Sequence, residues 1–257
     1  MIVVAVILCA VFRLLATAEN CSGLPEGFVS LSDLKSSIII DIRYSGPRNF
    51  VGRPIDGYHE PRCILTRKAA HSLVKAHEDF LSGSPPYAIK VYDCYRPQQA
   101  VNDFIRWAEN LTDTKMKQEY YSTLNKEDII PRGFVGQKSN HSRGSAVDMT
   151  IVPLEKGEKN VPYWPEQPQY PCYFPRPFRS HDGTLDMGTN FDCFHSLSHA
   201  NNALIGTTLA HRRQFLASIM RRHGFDQYEL EWWHFYYARD ELFPDTYFDF
   251  PVACGAL

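Results

Sequence analysis

The residues with most to offer chemically lie in two short stretches far apart in the chain. Ser139-Asn140-His141-Ser142-Arg143-Gly144-Ser145-Ala146-Val147-Asp148 places a histidine and an aspartate seven positions apart, and Glu231-Trp232-Trp233-His234 places a glutamate and a histidine three apart. Together they offer two imidazoles and a carboxylate that can ligate a metal, and a second carboxylate that can move protons. That inventory suits a catalytic zinc ion, which takes three protein ligands and keeps a fourth position open. Taken alone, a His and an Asp at this spacing are more often a capping or surface pair, and Glu231 and His234 could be the polar ends of a core strand.

The elements that must position these groups can be read from the hydrophobic pattern. Residues 146–152 form a strand whose alternation puts Ala146, Asp148 and Thr150 on one face, with His141 in the preceding turn and Gly144 permitting the reversal between them. Residues 231–237 read as a strand or bent strand. Glu231 and His234 would face opposite sides of a regular strand, so a bulge or bend must intervene, and the two tryptophans between them would wall the site from water. Two more strands are expected at Ile38–Arg43 and Ala88–Tyr95, the latter with Ile89, Val91, Asp93 and Tyr95 on one face and Arg96 on the open side. Helices are expected over 68–81 after an N-cap at Thr66, from Pro97 to about Asn110, more briefly around 114–124, and over 201–223, ending at Gly224. Strands and helices mix without regular βαβ alternation. The fold class is therefore α+β, a central antiparallel sheet flanked by helices.

Other chemistries find less support. His195 and His199 could share a helical face, but no third ligand accompanies them and no HExxH is present. There is no GxSxG, so a serine nucleophile is not indicated. The 257 residues carry 27 Lys and Arg against 29 Asp and Glu, with no basic stripe, which argues against nucleic acid and for a small partner in a pocket. Residues 1–18 resemble a signal peptide cleaved after Ala18, although Arg13 interrupts the apolar run and no Lys or Arg precedes it; an uncleaved membrane anchor is the alternative. Cleavage would leave no membrane anchor and would send a single domain, 19–257, out of the cytoplasm. Six cysteines then remain: Cys21, Cys63, Cys94, Cys172, Cys193 and Cys254. An even count in a secreted chain suggests disulfides, with buried thiols the alternative. A segment at about 154–183, rich in proline and aromatic residues, reads as an ordered surface insertion placed to lie over the site.

From about Ile38 to Val252 the chain resembles the VanX-type D-alanyl-D-alanine dipeptidases, zinc peptidases of the D-Ala-D-Ala metallopeptidase/hedgehog-like fold. The resemblance rests on ordered blocks: Asn49 to Tyr58, Tyr92-Asp93-Cys94-Tyr95-Arg96-Pro97, Ser139 to Asp148, Met187 to Asp192, Glu231-Trp232-Trp233-His234 and Tyr247 to Pro251. It implies that His141, Asp148 and His234 bind one zinc ion and that Glu231 is the general base. It further implies that Arg96 stabilises the oxyanion, and that Ser139, Asp192 and Tyr44 bind the free amino end of a small D,D-dipeptide. The insertion is longer than the family leads one to expect, and the signal-like start and six cysteines set the chain apart from a cytosolic enzyme. A D,D-carboxypeptidase acting on longer peptidoglycan stems and a non-catalytic zinc-binding module are the alternatives.

Overall fold

The computed structural model describes residues 21–154, 169–239 and 245–255. The expected signal peptide and the middle of the proline-rich insertion lie outside these residues. In chain order the described elements are β1 (Phe28–Ser30), β2 (Ile39–Ile40), β3 (Ile64–Thr66), α1 (Arg67–Ser82), β4 (Tyr87–Asp93), α2 (Gln98–Glu109), the single turn α3 (Lys117–Tyr120), β5 (Ala146–Pro153), α4 (Thr207–Arg222), β6 (Phe225–Gln227) and β7 (His234–Tyr237). Short 3₁₀ turns join several of them.

The main sheet has the order β2-β4-β5-β7-β6, and β1 and β3 form a separate antiparallel ribbon. Within the main sheet β4–β5, β5–β7 and β6–β7 are antiparallel, while the edge pair β2–β4 is parallel. This α+β architecture agrees with the pattern of the sequence. The parallel edge was not visible there, because the β-branched run at 38–43 says nothing about direction. Only Ile39 and Ile40 of that run pair as strand; Arg43–Ser45 coils into a 3₁₀ turn.

One face of the sheet is apolar and carries the helices. Ile89, Val91, Val147, Met149 and Ile151 are buried on it, and α1 and α4 pack against the sheet and each other. Helix α1 presents Ala69, Leu73, Ala76, His77 and Phe80, a stripe at helical spacing. The buried His77 is a core histidine: its Nδ1 accepts from the Ile89 amide at 3.1 Å and its Nε2 meets Ser37 Oγ at 2.8 Å. The helix expected over 201–223 is shorter than its pattern suggests. Gly206, at φ +85°, separates a 3₁₀ turn at Ala203–Ile205 from α4. Similarly, of residues 114–124 only Lys117–Tyr120 is α-helical.

The opposite face is polar. Cross-strand pairing places Lys90 opposite Thr150, Asp93 opposite Asp148, and Asp148 opposite His234. Three disulfides close the chain: Cys21–Cys254, Cys63–Cys94 and Cys172–Cys193. All six cysteines of 19–257 are thus paired, and the thiol alternative is excluded.

Candidate active site

The site is built where β4, β5 and β7 bring three residues into one row. Asp148 lies in β5 with Asp93 as its neighbour on β4 and His234 as its neighbour on β7. Directly opposed residues of an antiparallel pair stand about 4.5–5.5 Å apart, close enough for their side chains to meet a common ion. A bulge makes the row possible. Val91 pairs with Met149 and Asp93 with Asp148, so Tyr92 is an extra residue on β4. It moves Asp93 to the face of Asp148, which corrects the simple alternation that grouped Asp93 with Ile89 and Val91. On β7 the expected bend is also present. Glu231–Trp233 form a turn, with the His234 amide reaching back to the Glu231 carbonyl at 3.4 Å, and only then does the strand begin. Glu231 and His234 can therefore serve one site.

His141 enters from a 3₁₀ turn, Asn140–Arg143, just before β5. Ser139 starts the turn by accepting the His141 amide on its Oγ at 3.2 Å. Gly144 ends it at φ +75°, and a Cβ there would lie 2.2 Å from a ring carbon of Phe28. No other residue fits without displacing that ring. The turn delivers His141 to full burial beside Asp148.

His141 Nε2 lies 3.1 Å from His234 Nδ1, and each lies 3.2 Å from Asp148 Oδ1. These three atoms make a nearly equilateral triangle. An ion bound tetrahedrally at about 2.0–2.2 Å from nitrogen and oxygen requires ligand atoms at close to this spacing. The hydrogen bonds select the same reading. His141 Nδ1 donates to the Cys94 carbonyl at 2.6 Å, which leaves a lone pair on Nε2. Asp148 Oδ1 is buried and has no hydrogen-bond partner. A buried acceptor facing two imidazole nitrogens is costly unless a cation completes it. His141, Asp148 and His234 thus fit a metal ion. Burial opposes ionisation of Asp148, while the two imidazoles, when they carry protons, hold its carboxyl well below the usual range; a bound cation would take the place of those protons.

Around the triangle stand the groups that could do chemistry. Glu231 Oε2 is 3.6 Å from His234 Nδ1, with a quarter of the side chain still open to the cavity. Burial pushes its carboxyl up to about 7; His234 and Arg96 pull it down and Asp148 adds to the rise. Arg96 follows the end of β4. Its Nε donates to Asp93 Oδ2 at 3.0 Å and its Nη2 to Asp148 Oδ2 at 3.4 Å, and the guanidinium lies 5.1 Å from the Tyr44 ring centre. Asp192 sits at φ +59° and accepts the Tyr44 hydroxyl on both oxygens at 3.1 and 3.0 Å. Burial, reinforced by the negative charge of Asp148, raises its carboxyl well above the ordinary range. All these groups, with Ser139, line one cavity of about 300 Å³. Phe50, Phe104, Phe134 and Phe194 supply its apolar wall.

Comparison with known proteins shows the family to which the chain belongs. The family model for D-ala-D-ala dipeptidases, peptidase M15, matches residues 25–160 and 178–253. D-alanyl-D-alanine dipeptidases from Enterococcus faecium and Enterococcus faecalis are 37% and 34% identical, over 88% and 89% of this chain and 98% and 99% of their own lengths. The Streptomyces coelicolor D-alanyl-D-alanine dipeptidase is 33% identical, over 88% of this chain and 98% of its own. The chain belongs to the D-Ala-D-Ala dipeptidase family. It is accordingly a metallopeptidase, and the His-Asp-His group is the one among the described residues whose atoms converge as metal ligands do.

In this D-Ala-D-Ala dipeptidase family member, the eight residues singled out in the sequence all meet at the cavity or its metal group. His195 and His199 do not. His195 Nδ1 caps the Leu197 amide at 3.1 Å and its ring stacks on Tyr173, while the His199 carbonyl accepts from Arg213. The family match breaks off between residues 160 and 178, inside the proline-rich segment. Its described residues, Leu154 and 169–183, contribute nothing to the cavity wall; the loop from Gly133 to Asn140 does. Sequence reasoning overlooked Asp93, which holds Arg96 and lies 3.4 Å from His141 Nδ1, and Tyr58, whose hydroxyl donates to Asp93 at 2.6 Å. Both fall inside the matching blocks, so the signal was present; what hid Asp93 was the bulge.

Proposed function

We propose that this chain is a zinc-dependent dipeptidase that hydrolyses D-alanyl-D-alanine or similar D,D-dipeptides outside the cytoplasm. The observation that carries the reading is the triangle of His141, Asp148 and His234 beside an otherwise uncommitted Glu231. A structural zinc site closes its coordination with protein and needs neither a neighbouring base nor a guanidinium. The ion these residues hold would act as a Lewis acid on the scissile carbonyl and lower the pKa of the attacking water.

The rest of the chemistry falls to side chains. Glu231, with a carboxyl near neutrality, is suited to take a proton from the attacking water and deliver it to the leaving amine. As the carbonyl carbon gains the water oxygen, negative charge grows on its own oxygen. Arg96 is positioned to stabilise that charge, and Asp93 holds the guanidinium in place. Collapse breaks the C–N bond and releases two amino acids. Asp192 and Tyr44 suit the ammonium end of the substrate: a buried carboxyl reluctant to ionise gains a counter-charge when the dipeptide enters. Ser139 lines the same cavity. Three disulfides support an oxidising, extracytoplasmic address, where such bonds persist.

The test is hydrolysis of D-Ala-D-Ala by the purified chain, beside the L,L isomer and an N-acylated D,D analogue. Turnover should vanish with a chelator, return with zinc, and discriminate against both alternatives. Glu231→Ala should keep the metal and lose several orders of magnitude in rate, because base and proton carrier disappear together. Turnover unchanged in that variant would exclude the mechanism. Preference for the acylated compound would shift the assignment to a carboxypeptidase of longer stems.

A further inference from the structure

The Cys63–Cys94 disulfide does not merely link two strands; it borders a metal ligand. Cys94 follows β4, and its carbonyl is the acceptor for His141 Nδ1 at 2.6 Å. The next two residues bind on either side of it. The Tyr95 amide donates to the Ile64 carbonyl at 2.9 Å, and the Arg96 amide donates to the His141 carbonyl at 3.2 Å. Ile64 adjoins Cys63 and begins β3, whose last residue, Thr66, donates its amide to the Gly144 carbonyl at 2.8 Å. A closed circuit results. It runs from β3 through the disulfide to Cys94, across to His141, along the turn to Gly144, and back to β3. Cys63, Cys94 and His141 are all essentially without solvent exposure, so no water can replace a lost partner.

We infer that the Cys63–Cys94 disulfide is a positioning element of the metal site, holding the Cys94 carbonyl on His141 and the Arg96 backbone beside it. The other two cystines have no such link. Cys21–Cys254 ties the two ends of the described chain together, and Cys172–Cys193 closes a loop that contains Asp192, a residue of the cavity but not of the metal triangle. The carbonyl that accepts the N–H on the other ring nitrogen of a ligating histidine fixes its tautomer and ring angle, and disturbing such a partner typically costs about 10–100-fold in metal affinity or activity. Oxidation of this one cysteine pair would then be a condition for full metal affinity, and not only for stability.

The inference rests on His141 being a metal ligand, and its test reads metal affinity directly. The metal is zinc itself, competed against a chromogenic chelator, with C63A/C94A compared to wild type and to C21A/C254A. We expect the zinc dissociation constant of C63A/C94A to rise by about 10–100-fold and that of C21A/C254A to stay at the wild-type value. A wild-type zinc affinity in C63A/C94A, beside a lowered melting temperature, would reduce the bond to a plain stabiliser and overturn the inference. Should C63A/C94A fail to fold, zinc-loaded wild type can be reduced stepwise with a phosphine that does not bind zinc, each pair of freed thiols alkylated and mapped, and retention of the fold followed by circular dichroism. Zinc release in step with opening of Cys63–Cys94 supports the inference, and zinc retained after that bond has opened refutes it. A wild-type chain that binds no zinc at all would instead remove the peptidase reading itself.

Discussion

Two buried carboxylates over the same face of the sheet show how differently charge can be held. Asp182 is complete. Its Oδ2 accepts from Arg43 at 2.5 Å, Lys90 at 3.0 Å and Tyr92 at 2.9 Å, and its Oδ1 accepts from Thr184 at 2.8 Å. Asp148 is incomplete. Its Oδ2 has only the long contact to Arg96, and its Oδ1 has no donor at all but two imidazole nitrogens at 3.2 Å. A satisfied cluster of this kind fastens a loop to a sheet. An unsatisfied one with converging lone pairs is a receptor for a cation. The difference lies in what faces the carboxylate, since both are deeply buried and both are held ionised.

The contrast can be broken most severely at Asp148. Asp148→Asn should abolish zinc binding at micromolar concentration and with it hydrolysis, by several orders of magnitude, while circular dichroism shows the fold retained. Equilibrium dialysis decides it: wild-type zinc affinity in this variant would mean that the triangle is not the metal site. The same substitution at the complete carboxylate should act on stability instead. Asp182→Asn leaves Arg43 and Lys90 with Asp41 as their remaining carboxylate, so the cost should fall toward the lower end of the roughly 3–5 kcal/mol typical of breaking a buried pair. Denaturant unfolding measures this loss, and zinc affinity should not move with it.

A pH series sharpens the comparison. Burial opposes ionisation of Asp182, but Arg43 and Lys90 hold its carboxyl far below the ordinary carboxylate value. A depressed folded-state pKa contributes stability that is present above the unfolded value, about 4, and is lost as pH falls below it. Melting temperature should thus drop more steeply below about pH 4 in wild type than in Asp182→Asn; parallel curves would deny the carboxylate this role. The smallest effect is expected at Ser139→Ala, which removes the cap on the turn carrying His141. A loss of about 1 kcal/mol is typical of such caps. Its stability loss should come with a rise in KM if Ser139 also touches substrate.

Much of this was legible in the chain. The bend at 231–234 followed from parity alone, since a glutamate and a histidine three apart on a strand cannot share a face without one. Gly144 was legible as the reversal point, and the structure adds the reason that nothing larger fits against Phe28. The even cysteine count pointed to disulfides without choosing partners, because pairing depends on which segments meet in space. Three features were hidden for the same reason. The extra residue at Tyr92 depends on how β4 registers with β5, the parallel edge on where the chain crosses, and the wall at 133–140 on which loop reaches the cavity.

By itself, then, the sequence determined the types of group available, two imidazoles and two carboxylates in two strands and their turns, together with the family blocks that contain them. Side-chain chemistry and strand alternation are local properties and can be read locally. Only the tertiary structure decided that Asp148 would stand between Asp93 and His234, that its one oxygen would be left without a donor, and that the Cys94 carbonyl would set the tautomer of His141. Those outcomes depend on register and crossover, which are fixed when distant segments compete to bury the same surface.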